Sequence, residues 1–123
     1  MKLVIQPDNY PITFIIWGGQ KSFNDFFKCL IEHGVSAEAI HGCLDDLSTD
    51  AHVDQTAAFQ CNFGNVQAAW VSDRLTWKAL PTYCHEIDHM VWDAIEYLGL
   101  EGKEVNAYMT DYIIGKLVET KAR

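Results

Sequence analysis

The chain has 123 residues, 49% of them hydrophobic and 21% charged, enough for one domain around one modest core. Its net charge of -8 repels a phosphate backbone, which argues against a nucleic-acid partner. The apolar run from Ile12 to Trp17 is too short to span a bilayer, and the first residues lack the apolar stretch of a signal peptide, so no membrane role and a cytoplasmic location are expected.

Lys2 to Ile5 and Ile12 to Trp17 are rich in β-branched and aromatic residues and read as strands. Pro7-Asp8-Asn9 supplies the turn between them. Ser22 reads as the N-cap of a helix that ends at Gly34, with Phe23, Phe26, Phe27, Leu30 and Ile31 at helical spacing. Ser36 reads as the cap of a second helix holding Ile40, Leu44 and Leu47, which Gly42 weakens. Ala57 to Cys61 and Val66 to Val71 flank Asn62-Phe63-Gly64-Asn65 and predict a β-hairpin.

Pro81 suits the first turn of a third helix. Ile87, Met90, Val91, Ala94, Ile95 and Leu98 form its apolar stripe, and Gly99 ends it. Val105, Met109, Ile113, Leu117 and Val118 support a last helix. The expected fold is α+β: a small mixed or antiparallel sheet, covering helices and a C-terminal helical hairpin that carries a metal site. Cys29, Cys43, Cys61 and Cys84 form no Cys-x-x-Cys pair. Without a secretory signal they are expected as free, mostly buried thiols. His33, His41 and His52 have no ligand spacing among themselves and read as surface residues.

The string that carries chemistry is His85-Glu86-Ile87-Asp88-His89, an H-E-x-x-H pattern. A four-residue spacing sets the two imidazoles about 40° apart, one turn apart on one helical face, where they can take two corners of a zinc site. Glu86, about 100° round from His85, is placed to act as general base without being a ligand. His85, His89 and Trp92 share the face opposite the apolar stripe, and burial of both sides of the helix is expected.

Further along, Glu104-Val105-Asn106-Ala107-Tyr108 opens the last helix. From about Trp70 to Ile114 the chain resembles the gluzincin metallopeptidases, and especially small phage and prophage proteins with a helical H-E-x-x-H, a helix-ending glycine and Glu-x-x-Ala-Tyr. The resemblance implies a single zincin-like domain over residues 1–123. It implies zinc held by His85, His89 and Glu104, with Glu86 as base. It also implies that the strand Val66 to Ser72 lines a peptide cleft, where an extended peptide would pair with its free edge. Tyr108, one turn after Glu104, is the candidate hydrogen-bond donor to a developing oxyanion.

Glu104 must, however, return about 13 Å from the helix end to reach His89. That requires Leu100 to Lys103 to run extended back along the helix. A tight hairpin would instead raise Asp111 toward His89. The expected function is a zinc-dependent hydrolase acting on a peptide or protein. The competing reading is an inactive, zinc-stabilised protein of phage type that binds a host protein. A third is an acidic nucleic-acid mimic with incidental histidines.

Overall fold

The computed structural model describes residues 1–19, 23–49 and 58–122. Four strands, β1 (Lys2–Ile5), β2 (Thr13–Gly18), β3 (Ala58–Asn62) and β4 (Val66–Val71), form one mixed sheet. Its order is β1-β2-β4-β3, with β2 and β4 parallel and both outer pairs antiparallel. Four helices, α1 (Asn24–Glu32), α2 (Ala37–Thr49), α3 (Leu80–Leu98) and α4 (Lys103–Ala122), cover it. The α+β class and the mixed sheet are those expected from the sequence.

Strand alternation divides the core in two. Phe14, Ile16, Ala69 and Val71 face α3 and α4, while Ile15, Trp17, Ala68 and Trp70 face α1 and the start of α2. The sheet is thus buried on both faces, which explains why β2 and β4 read as nearly continuous apolar runs. β4 is an inner strand, hydrogen-bonded to β2 on one side and β3 on the other. The expectation that a peptide pairs with the edge of β4 is therefore wrong. The sheet edge beside α3 belongs to β3.

Helix signals held where side chains could satisfy them. The Ser36 hydroxyl accepts a hydrogen bond from the Ala39 N–H at 3.1 Å, capping α2. α1 begins at Asn24 after Phe23 without a side-chain cap, and the expected cap Ser22 lies outside the described residues. Gly99 adopts φ 67°, the left-handed conformation that closes α3. The Gly99 N–H then donates to the Glu96 carbonyl and the Leu100 N–H to the Ile95 carbonyl, a Schellman closure. α4 starts only three residues later, at Lys103. Leu100 to Lys103 is therefore a compact turn, not the extended return that Glu104 requires. Leu100 is folded back onto the core.

The cysteines depart from expectation. Cys43 on α2 and Cys61 on β3 form a disulfide with a Cα–Cα separation of 6.7 Å, while Cys29 and Cys84 are free. They meet because α2 packs across the sheet face on which Cys61 projects. Closing the loop between them is expected to add about 2–4 kcal/mol. Thiol titration of the denatured, unreduced chain should find two groups, and four after reduction. Replacing both Cys43 and Cys61 by Ser should lower unfolding free energy by about that amount. Four thiols without reduction would contradict this link.

Candidate metal centre

α3 is held in one rotation by its buried stripe. Ile87, Met90, Val91, Ala94 and Ile95 are all buried against the sheet and α4. Near its start, the Tyr83 hydroxyl donates to the Asp73 carbonyl at 2.6 Å. Gly18, at the end of β2, lies against that hydroxyl so closely that a Cβ there would overlap it. Burial, then the charge of Asp73, push the Tyr83 phenol up to about 12.

With that face inward, His85 and His89 point to solvent, and both are exposed. Trp92 is 52% exposed. The expected burial of this second face does not occur, because α4 packs along the flank of α3 and leaves its outer side open. The two imidazoles nevertheless converge: His85 Nε2 and His89 Nε2 lie 3.1 Å apart, with the rings edge to face. Two nitrogens each about 2.0–2.1 Å from one tetrahedral zinc stand about 3.3–3.4 Å apart. The pair is within a few tenths of an ångström of that edge, so the two imidazoles can take two corners of such a site. Glu86 is buried at 8% exposure. Burial raises its carboxyl above the ordinary range, and the neighbouring His85 and His89 partly oppose that rise.

The other expected residues are not brought to the pair. Glu104 is exposed in the first turn of α4. Among the described residues no three His, Cys, Asp or Glu side chains gather as a metal-holding group. Tyr108 packs its ring 6.0 Å from Tyr10 and 6.1 Å from Tyr112. Tyr10 belongs to the β1–β2 connection, at the sheet side opposite β3, so Tyr108 is turned away from the imidazoles. Asp111 is exposed on α4. Cys84 is half-buried, and burial raises its thiol. His33 closes α1, its Nδ1 2.8 Å from the Cys29 carbonyl oxygen, and His41 is exposed, while His52 lies outside the described residues.

A polar chain that the sequence did not reveal ties this helix to the sheet edge. The fully buried Gln67 donates through Nε2 to Asn62 Oδ1 at 2.7 Å and to the Gly64 carbonyl at 2.9 Å. Gln60 Nε2 donates to Gln67 Oε1 at 3.1 Å and to Asp93 Oδ2 at 2.8 Å. Asp93 lies one turn beyond His89. Its i+4 spacing from His89 was the available signal, but nothing in the sequence paired it with Gln60. The Phe63 N–H donates to the Val66 carbonyl, so by antiparallel alternation Phe59 and Cys61 bond to β4. The main-chain groups of Ala58, Gln60 and Asn62 then point outward from the sheet.

A separate cleft of about 780 Å³ runs from Gly34 and Val35 to Asn62 and Phe63. It borders the Cys43–Cys61 link and includes no residue of α3. No family model matches the chain, and no curated protein or solved structure matches it.

The buried Glu86 gives a stability test. A carboxyl raised by burial penalises the ionised folded form, so the fold takes up a proton. The penalty is absent below the unfolded group's range and complete above the folded one. In metal-free protein, Glu86→Gln should match the native chain at acid pH and become the more stable of the two by pH 7. Denaturant unfolding across that range checks this, and a variant less stable at pH 7 would contradict the burial argument.

Proposed function

We propose that the chain is a zinc-dependent hydrolase of peptide or amide bonds, built on a gluzincin-like plan. The observation that carries this reading is the 3.1 Å approach of two outward-facing imidazoles on one helix, with a buried carboxyl between them in sequence. His85 and His89 would hold the metal. Zinc, when bound, acidifies water and polarises a carbonyl oxygen. Glu86 accepts a proton from the attacking water and delivers it to the leaving amine. Burial raises its affinity for protons, the direction that favours a base over an ordinary surface carboxylate. The outward main-chain groups of β3, beside α3, offer an extended peptide a line of hydrogen bonds.

α4 carries both carboxylates that could complete the site, though among the described residues neither gathers with the pair as a metal-holding group. The resemblance names Glu104, but the compact turn leaves it near the far end of α3. His89 stands about 13 Å from the end of α3 and Asp111 about 12 Å from the start of α4. In an antiparallel hairpin those two are level, so the compact turn favours Asp111. The competing reading, a zinc-stabilised binding protein without turnover, draws support from the exposure of the pair on a helix face. A fourth protein ligand would mark a structural site, and an open position an enzyme.

The chain should bind about one zinc ion. His85→Ala and His89→Ala should each abolish tight binding. Asp111→Ala should weaken it more than Glu104→Ala, which the compact hairpin leaves outside the site. Glu86→Gln should keep zinc and lose hydrolysis of a peptide mixture, because Gln cannot take a proton at neutral pH. Isothermal titration with zinc and product detection by mass spectrometry check these outcomes. Full zinc affinity in the double His→Ala variant would sink the assignment.

A further inference from the structure

The outer face of α3 carries a second stripe beside the histidines. Asp88, Trp92 and Glu96 follow one another at four-residue spacing, so each stands one turn above the last. All three are exposed, and Trp92 keeps 52% of its surface in solvent. A tryptophan left this open forgoes much of the stabilisation that its burial would give. Trp92 follows His89 by three residues and therefore lies on the adjoining face, within reach of anything held at the imidazoles.

Three other aromatic rings have a lysine of the chain near them, although Trp77 itself stays 67% exposed. Lys121 Nζ lies 5.1 Å from the centre of the Trp77 ring, Lys2 Nζ 6.0 Å from Trp17 and Lys116 Nζ 5.7 Å from Tyr112. Among the described residues no such cation lies near Trp92. α3 contains Glu86, Asp88, Asp93 and Glu96 and no lysine or arginine. An indole face attracts cations more strongly than other aromatic rings, and a carboxylate one turn away on each side adds to that attraction.

We propose that Trp92, with Asp88 and Glu96, receives a lysine or arginine side chain of the peptide substrate, making it a specificity-determining residue beside the His85–His89 pair. The alkyl stem of such a side chain lies on the indole while its charged end meets the carboxylates. As a statement about substrate, the inference rests on the hydrolase reading above. As a statement about a cation-binding stripe, it stands on Trp92 and its neighbours alone. The net charge of -8 favours the same basic substrates at longer range.

The test uses the whole chain, labelled with ¹⁵N, at low ionic strength. The Trp92 indole signal is identified by its loss in Trp92→Phe. Three blocked pentapeptides are compared, each with alanines around a central lysine, norleucine or glutamate. The lysine peptide should shift the Trp92 signal and bind about two- to fivefold more tightly than the norleucine peptide, the range for an exposed cation over a ring. The glutamate peptide should bind weakest. The preference should vanish in Trp92→Ala and shrink in Asp88→Asn/Glu96→Gln. Equal binding of the lysine and norleucine peptides would overturn the proposal. So would a preference that survives in Trp92→Ala, or a Trp92 signal that no peptide moves. Zinc titration separates the two claims. Trp92→Ala should bind zinc as the native chain does, and His85→Ala/His89→Ala should lose zinc yet keep the lysine preference. A chain that binds no zinc but prefers lysine would remove the hydrolase reading and support the cation stripe.

Discussion

The rotation of α3 about its own axis is the constraint on which the rest of the site depends. A helix has one face to give to a core, and here Ile87, Met90, Val91, Ala94 and Ile95 fill it. Tyr83 prevents any turn of the first half, since its hydroxyl is held by the Asp73 carbonyl and its ring end is lodged against Gly18. Asp93 does the same on the β3 side through Gln60. Between these two points lie His85 and His89. Their outward direction, and the partial burial that raises Glu86, follow from a helix that cannot roll.

The edge strand is fixed as firmly as the helix. Adjacent residues of β3 project to opposite faces, and each is tied down: Cys61 to Cys43 on α2, and Gln60 to Asp93 on α3. A strand held from both sides can keep its outward main-chain groups in one register, and among the described residues no strand pairs with that edge. An unpaired edge otherwise invites adventitious pairing, and a short, five-residue strand limits that hazard.

Much of this was legible in the sequence. The apolar stripe of α3, its Pro81 start and Gly99 stop, the β3–β4 turn and the Ser36 cap all depend on neighbours within a few residues. Local spacing therefore reports them. The same spacing placed His85 beside His89. Spacing says which residues share a face, but not whether another element covers it, and so the exposure of Trp92 was missed. The parallel β2–β4 pairing that makes β4 an inner strand depends on packing across the whole chain. The Cys43–Cys61 link depends on where α2 crosses the sheet, which no cysteine spacing encodes. Gly99 marks a helix stop in the sequence, but the Schellman closure that turns Leu100 inward also shortens the hairpin, and that keeps Glu104 near the far end of α3.

The central claim is that two imidazoles of one helix form half of a zinc site. X-ray absorption at the zinc K-edge, on the chain loaded with one equivalent, measures this directly. The account predicts two imidazole nitrogens at about 2.0–2.1 Å, with the remaining light-atom ligands oxygen and no sulfur. A shell lacking imidazole scattering, or one dominated by sulfur at about 2.3 Å, would contradict it.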